Sequence, residues 1–237
     1  KDRREHQYLT SHGLCRLTKV AIITLIANIT SIPQNQRISM EFVQLLLVSQ
    51  SPRRREMISW LDLPVSVVSA DIDEYPQKGE SPLHMTVRLA RAKANAVTAS
   101  PDGAWILAAD TVVDLDNVPL GKPHDPAEAR AMLQQLRARP HAVHTTVTLC
   151  NPQTHQSIAR YVTTKVKMRA YTDAELEAYI MSNDPMDKAG AYAIQNTGFN
   201  PVAYLNRCYT NVVGFPLCAV SALLNEWDFC SSVNVPA

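Results

Sequence analysis

Residues 41–56 read EFVQLLLVSQSPRRRE and pass from an apolar run into a charged one within a few positions. The apolar LLLV run predicts a buried strand over residues 41–48. Ser51 is typical of a helix N-cap and Pro52 is typical of a first helical turn, so a helix is expected from there to about Leu61. The core is therefore expected to open on a strand–loop–helix unit.

Strands and helices alternate through the rest of the chain. Apolar residues three and four positions apart predict a helix over 82–99. Asp125 and Thr172 each stand three residues before a glutamate, the pattern of a capping box at a helix start. Further elements are expected as strands at 65–68, at 105–115 around Asp110, at 141–149 and at 158–168, and as a last helix at 217–227. Early strand–helix units followed by a hairpin predict a mixed α/β fold in two lobes.

Composition excludes several classes of protein. Of 237 residues, 46% are hydrophobic and 19% are charged, which is enough apolar material for a core and excludes a disordered chain. Lys and Arg number 23 against 22 Asp and Glu, so a general nucleic-acid coat is excluded and anion binding must come from local clusters. The five cysteines form no CxxC pair, which favours reduced thiols and a cytoplasmic location.

Residues 1–39 differ in pattern from the rest of the chain and are expected to form an extension outside the core. Their apolar run at 20–32 has 13 residues, too few to span a bilayer, so no membrane association is expected. A signal peptide is the weaker alternative, since basic residues precede the run but no A-x-A site comes after it. The functional domain is predicted at 40–230 and a tail at 231–237.

The loop of Ser49, Ser51, Arg53 and Arg54 is a candidate phosphate site. Backbone N–H groups at a helix start attract anions, and the serine hydroxyls add donors. Arginines in the first helical turn oppose the helix dipole unless an anion lies in front of them. A solvated basic turn is the alternative.

Acidic residues give a second set of candidates. Asp110 stands inside an apolar strand, where a carboxylate is costly unless it is paired, protonated or bound to a metal. It is therefore a candidate general base or metal ligand, with a strand-end cap as the alternative. Asp71, Asp73 and Glu74 could supply hard oxygen ligands for Mg²⁺, or could simply form a solvated loop.

The remaining candidates are weaker when each is taken alone. Lys122, between Gly121 and Pro123, could contact a phosphate, although an exposed loop lysine is the simpler interpretation. The small residues of 187–195 permit close approach to a planar ligand, and Gln195 offers an amide for a base edge. A tight packing corner explains them equally well. His141 and His144 are interpreted as strand residues rather than metal ligands.

Seven motifs occur in order between residues 43 and 227. They are S-x-S-P-R-R-x-E (49–56), L-A-x-x-K-A-x-A-V (89–97), A-D-T-V-V (109–113), G-K-P (121–123), H-x-V-x-T (141–145), D-K-A-G-A-Y-x-I-Q (187–195) and N-V-V-G-x-P-L (211–217). Together they resemble the Maf family. The resemblance implies a two-lobed α/β fold related to the inosine-triphosphate pyrophosphatases, with the active site in the cleft between the lobes.

The same resemblance implies an activity and a set of roles. Family members hydrolyse nucleoside triphosphates to the monophosphate and pyrophosphate with a divalent metal (Mg, Mn or Co). Asp110 matches the proton acceptor. The other matched positions are Arg53, Thr111 and Gln195 for substrate selection, Lys93 and Lys122 for phosphate contacts, and Asp73 or Glu74 as the acidic partner that would hold the metal with Asp110.

The 187–195 motif resembles the branch that acts on dTTP and UTP rather than the branch that acts on 7-methyl-GTP. Ala193 and Asn196 stand where the family usually has glycine, which bears on base selectivity more than on catalysis. A nucleoside triphosphate pyrophosphatase with no stable nucleic-acid partner is the function expected, and the resemblance also suggests a homodimer. The alternative is a catalytically weak nucleotide-binding or regulatory protein.

Overall fold

The computed structural model describes residues 44–97, 100–101 and 103–226. The predicted extension at 1–39, the tail at 231–237 and the first positions of the predicted 41–48 strand lie outside these residues. Within the described part, no helix combines the length and apolar character that a membrane crossing requires.

Helices and strands alternate early in the chain, and antiparallel strands come later. The strands are β1 (Leu45–Val48), β2 (Val65–Val68), β3 (Trp105–Leu115), β4 (Val118–Leu120), β5 (Pro140–Asn151), β6 (Gln156–Met168) and β7 (Val202–Asn206). The α-helices are α1 (Pro52–Ser59), α2 (Pro82–Asn95), α3 (Pro126–Leu136), α4 (Asp173–Met181), α5 (Tyr209–Val213) and α6 (Leu217–Glu226). Short 3-10 turns at Asp184–Asp187 and Ala189–Ala191 come after α4.

The seven strands form one mixed sheet in the order β2-β1-β3-β5-β6-β7, with β4 beside the second half of β3. β1 runs parallel to both β2 and β3, as strands joined through helices must. The pairs β3–β5, β5–β6 and β6–β7 are antiparallel, and β5 and β6 form the predicted hairpin. The mixed α/β prediction is confirmed.

Apolar side chains cluster separately along the two halves of β3. Ile106 and Ala108 pack with β1 and with the end of α2 in one cluster. Val113 and Leu115 belong to a second cluster, which includes fully buried Leu133 of α3. A fully buried leucine contributes about 1.5–3 kcal/mol. Asp110 lies on β3 between the residues that belong to these two clusters.

Local signals account for most helix starts. Ser81 accepts a hydrogen bond from the N–H of His84 at the start of α2, and Thr172 with Glu175 forms the complete predicted capping box of α4. Of the two hydrogen bonds of the capping box predicted at Asp125, one forms as expected and the other does not. The Asp125 side chain accepts from the N–H of Glu128, but the Glu128 carboxylate accepts from the N–H of His124, one residue earlier than the motif requires.

Other predicted boundaries shift by a few residues. The helix expected to reach about Leu61 ends at Ser59, and the helix expected over 82–99 ends at Asn95. β4 and β7 were not expected from the sequence. β4 is three residues long and contains Pro119, which weakens a strand signal, and it forms an edge where a missing N–H is tolerated.

Candidate active site

The site lies beside a gap in the sheet. β1 ends at Val48, opposite Ala108 of β3, and β4 pairs with β3 from Val113 onward. Residues 109–112 therefore have no neighbouring strand on that side within the described part of the chain. The loop from β1 to α1 opens at this gap, at the carboxyl end of a parallel strand, where α/β sheets bind their ligands.

Asp110 is a buried carboxylate with one direct cation. Its residue is 4% exposed, and Oδ1 lies 2.6 Å from Nζ of Lys93 on α2. Burial raises the pKa of Asp110 because water no longer stabilises the charge, and the positive charges of Lys93 and Arg54 oppose that rise. A carboxyl group with a raised pKa accepts a proton more readily than an ordinary aspartate, as a general base requires.

Lys93 joins Asp110 to Glu74. Its Nζ lies 2.7 Å from Oε1 of Glu74, whose side chain is 46% exposed. Burial acts to raise the pKa of Glu74, but Lys93 and, less strongly, Lys122 and Arg54 leave it below its usual value. Glu74 therefore gives up its proton at lower pH than Asp110 does, and one oxygen of each carboxyl group faces the same ammonium.

Arg54 fills the gap beside β3. Its Nη1 donates to the carbonyl of Ala109 at 2.8 Å and its Nη2 donates to Oγ1 of Thr111 at 2.9 Å. Its Nε donates to the carbonyl of Gly214, beyond α5, at 2.7 Å. Arg54 thus holds three segments together. A guanidinium has five N–H donors, so two remain for a ligand.

The start of α1 presents donors that its own cap does not use. Ser51 occupies the N-cap position, but its side chain makes no capping hydrogen bond, so the expected serine cap is not formed. Instead, Oγ of Ser49 accepts from the N–H of Ser51 at 3.1 Å, and the Ser49 hydroxyl proton stays available for a ligand. The helix cap therefore does not use the side chain of Ser51, and Ser49 is buried next to it.

Arg53 forms an ion pair with the corner formed by residues 187–196. Its Nη1 lies 2.8 Å from Oδ2 of Asp187, and Asp187 also contacts Nζ of buried Lys188 at 2.5 Å. The same Nζ reaches Oδ1 of Asp184 at 2.9 Å. This chain of ion pairs connects the helix start to the segment that carries Gln195.

The corner packs tightly against β3. Gly190 has a φ of 67°, and a Cβ at this position would lie 3.0 Å from a methyl carbon of Val113. Its N–H donates to the carbonyl of Gly121, which brings Lys122 to the same region. Lys122 is exposed but close enough to lower the pKa of Glu74. At Gly190, tight packing against β3 therefore explains the small residue, which is the packing alternative inferred from the sequence.

Gln195 is exposed and lines a cavity of about 660 Å³. Tyr179, Asn196 and Phe199 also line it, and neither the α1 start nor the Lys93 cluster is among its described walls. Asn196 has a structural role here. Its amide donates to Oδ2 of Asp184, and its Oδ1 accepts from the N–H of Phe199. The volume lies within the usual range for small-molecule sites.

Other candidates are placed differently. The hydroxyl of Thr111 contacts Arg54 and Oγ1 of Thr145 on the sheet face opposite Asp110, since neighbouring strand residues alternate. Asp73 is exposed, and its Oδ1 accepts from the N–H of Tyr75 in a local turn. Thr111 is therefore joined to the site through Arg54, whereas the hydrogen bond of Asp73 joins it only to its own turn.

The two histidines of β5 lie in hydrogen-bonded pairs. His141 Nε2 is 2.8 Å from the hydroxyl of Tyr192, and burial lowers the pKa of His141 to about 4. His144 Nε2 lies 3.1 Å from Oδ2 of Asp114. Both act as strand residues, as the sequence indicated.

Carboxylate oxygens near Lys93 could serve a metal that arrives with a phosphate ligand. Among the described residues, no three His, Cys, Asp or Glu side chains are grouped to hold an ion by themselves. Mg²⁺ commonly binds one or two carboxylates and completes its shell with phosphate oxygens and water. Glu74 and Asp110 supply hard oxygen donors of this kind, so the donor set fits a divalent metal shared with the ligand.

Two contacts of the N-V-V-G-x-P-L motif had no role assigned from the sequence. Asn211 is fully buried, and its amide donates to the carbonyl of Val143 and to Oγ1 of Thr164, which fixes α5 on the sheet. Gly214, three positions after Asn211, accepts from Arg54 through its carbonyl. A polar asparagine and a glycine within one apolar motif were the sequence features that could have indicated these two contacts.

Similarity to known proteins extends over most of the chain. Residues 44–227 match the family profile described as Maf-like protein. A protein of Myxococcus xanthus named dTTP/UTP pyrophosphatase is 47% identical over 77% of this chain and 91% of its own length. A protein of the same name from Geobacter metallireducens is 41% identical over 79% of this chain and 94% of its own.

Among solved structures, the Staphylococcus aureus Ham1 protein is 12% identical over 78% of this chain and 97% of its own, with a TM-score of 0.45. That likeness is too low to carry a conclusion about function. The family match spans nearly all described residues, and the two relatives exceed 40% identity over most of their length. The chain belongs to the Maf family.

Proposed function

We propose that this protein is a nucleoside triphosphate pyrophosphatase that hydrolyses dTTP and UTP to the monophosphate and pyrophosphate. The observation that carries the proposal is the buried Asp110 carboxylate, held by Lys93 beside an arginine-bearing helix start. The names of the Myxococcus and Geobacter relatives support the choice of substrates.

The triphosphate would bind at the start of α1. The hydroxyls of Ser49 and Ser51 and the remaining N–H donors of Arg54 offer hydrogen bonds, and the neighbouring arginine Arg53 adds charge. Lys122, from the loop tied to Gly190, adds a further positive charge near Glu74. Pyrophosphate gains negative charge as it leaves, and fixed cations stabilise that charge most strongly in a site shielded from water.

Asp110 would accept the proton of the attacking water, and attack would occur at the α-phosphorus. Its burial favours the protonated product of that step. Lys93 would orient the carboxylate through Oδ1, which leaves Oδ2 to face the water. Lys93 is also expected to contact a phosphate oxygen once substrate enters.

Glu74 and Asp110 would hold a divalent metal together with the triphosphate, and Asp73 is the neighbouring carboxylate named from the family resemblance. When bound, such an ion neutralises phosphate charge and polarises a phosphoryl oxygen. Activity measured with Mg²⁺, Mn²⁺ and Co²⁺ in turn identifies the preferred ion.

Base selection is assigned to Gln195, with Arg53 and Thr111 acting through their neighbours. The amide of Gln195 is exposed and supplies the paired donor and acceptor that a pyrimidine edge requires. Arg53 reaches the same segment through Asp187, and Thr111 contacts Arg54. The altered residue Asn196 is used in a structural bond, so the alternative of a spoiled, regulatory pocket is not favoured.

Pyrophosphate release from a panel of nucleotides tests this proposal. The panel contains dTTP, UTP, CTP, dATP, GTP and 7-methyl-GTP, each with Mg²⁺, Mn²⁺ or Co²⁺ and with a chelator. We expect dTTP and UTP to be hydrolysed fastest, with the monophosphate and pyrophosphate in equal amounts and no turnover in chelator. Release of inorganic phosphate instead, or equal rates for all six nucleotides, would contradict the proposal. A homodimer and a cytoplasmic location remain predictions from the sequence.

A further inference from the structure

Two thiols lie close together at the ends of neighbouring helices. Cys208 is the residue before α5, and Cys218 is the second residue of α6. Their sulfur atoms are 4.0 Å apart. Cys208 is partly buried and Cys218 is exposed, so a small oxidant in solvent can reach the pair. A disulfide has an S–S distance of about 2 Å, so the sulfurs need to approach by about 2 Å.

Cys208 has the character of a reactive thiol. Hydrogen bonds from the Cys218 thiol, from Thr210 and from the backbone N–H groups of Thr210 and Asn211 lower its pKa to about 6, against the burial that raises it. Thiolate is the reactive form, so a lowered pKa makes Cys208 more reactive than an ordinary cysteine. Cys150 provides the contrast, because it is buried in the core and burial raises its pKa.

The segment between the two cysteines is connected to Arg54. Thr210 Oγ1 lies 3.2 Å from the sulfur of Cys208 and accepts from the N–H of Leu217 at 3.2 Å. The carbonyl of Thr210 accepts from the N–H of Gly214, whose own carbonyl holds Nε of Arg54 at 2.7 Å. Movement of the two sulfurs toward each other therefore acts on the same short loop that positions Arg54.

We propose that Cys208 and Cys218 form a reversible disulfide that displaces the Gly214 carbonyl and lowers the turnover of the enzyme. The oxidant is a peroxide. The Cys208 thiolate attacks one peroxide oxygen, the O–O bond breaks, and the leaving hydroxide takes a proton to become water. The Cys218 thiol then attacks the sulfenic sulfur, the S–S bond forms, the S–O bond breaks and a second water leaves. Two thiols have lost two electrons and two protons to the peroxide, and a dithiol reductant reverses the change.

The effect on turnover rests on the proposed function, whereas the disulfide itself does not. The experiment uses the full chain carrying Cys15→Ser and Cys230→Ser, since those two cysteines lie outside the described residues. Reduced protein is treated with hydrogen peroxide, remaining thiols are blocked by alkylation, and the protein is digested with chymotrypsin without reductant. Cleavage after Tyr209 leaves the two cysteine peptides joined only if they share a disulfide.

We expect the joined peptides, an unoxidised Cys150 and a fall in dTTP turnover of about tenfold, the factor that corresponds to weakening one hydrogen bond to a charged group. Dithiothreitol should restore the rate. Variants with Cys208→Ser or Cys218→Ser should start at the rate of the untreated, reduced protein and keep it in peroxide. Peptides that never join, or a joined pair at full turnover, would overturn the proposal, as would inactivation of the Cys218→Ser variant. The peptide readout still decides the modification site if the reduced protein releases no pyrophosphate.

Discussion

Replacement of Asp110 by asparagine keeps the shape of the side chain and removes its ability to accept a proton. The amide oxygen can still accept from Lys93, and Lys93 retains its contact with Glu74 at 2.7 Å, so the ion-pair cluster is not left with an unpaired cation. General-base catalysis contributes about 10²–10⁴ in rate. We therefore expect turnover to fall by that factor, about 3–5 kcal/mol in activation free energy.

The same variant has a predicted effect on stability. Burial raises the pKa of folded Asp110, so the unfolded chain releases this proton at lower pH than the folded protein does. The group therefore contributes stability at low pH and loses that contribution as pH rises through the folded pKa. Asparagine does not titrate. In thermal melts, the unfolding temperature of the variant minus that of the wild type should therefore increase as pH rises above about 4, the ordinary pKa of an aspartate.

The activity assay measures pyrophosphate release and nucleotide binding in parallel, with Asp114→Asn as the matched control. Asp114 lies on the same strand and the same face, four residues along, and pairs with His144. Asp110→Asn should bind dTTP and fail to turn it over, whereas Asp114→Asn should keep its rate within a few fold. Near-normal turnover in Asp110→Asn, or an equal loss in both variants, would refute the assignment.

Three further predictions concern single side chains. Lys93→Met removes the cation that opposes the rise in the pKa of Asp110. The acidic limb of the turnover–pH profile should therefore move to higher pH. A limb at the wild-type pH would contradict the pairing of Lys93 with Asp110. Gln195→Ala should narrow the preference for UTP over purine triphosphates by about 1–3 kcal/mol, by analogy with amide–base contacts, and an unchanged substrate ranking would make it a packing residue. Burial lowers the pKa of His141 from 6.5 to about 4, so the wild type should lose about 2 kcal/mol of unfolding free energy between pH 7 and pH 5 because the unfolded chain takes up the proton. Urea melts of His141→Gln should show a flatter pH dependence.

The order of strands and helices was readable because local signals agree with the final fold. The LLLV run became β1, Pro52 opened α1, and Thr172 with Glu175 formed the expected capping box. Asp110 stood out because a carboxylate in an apolar strand needs a partner, and the partner proved to be Lys93.

Contacts between distant segments could not be read in the same way. The hydrogen bond from Arg54 to Gly214 joins residues 160 positions apart, and no local pattern encodes it. The ion pair between Arg53 and Asp187 spans 134 positions. Ser51 shows the opposite failure, since the pattern of an N-cap was present but the side chain makes no cap bond. Local propensity sets the elements, and the long-range pairings assemble the site.

Hydrolysis of dTTP in ¹⁸O-labelled water is the most direct test of whether water attacks the α-phosphorus, as the proposed mechanism requires. The wild-type protein is incubated with dTTP and a divalent metal, and the isotope content of both products is measured by mass spectrometry. We expect one label in the monophosphate and none in pyrophosphate. Label in pyrophosphate would place the attack on the β-phosphorus and contradict the mechanism.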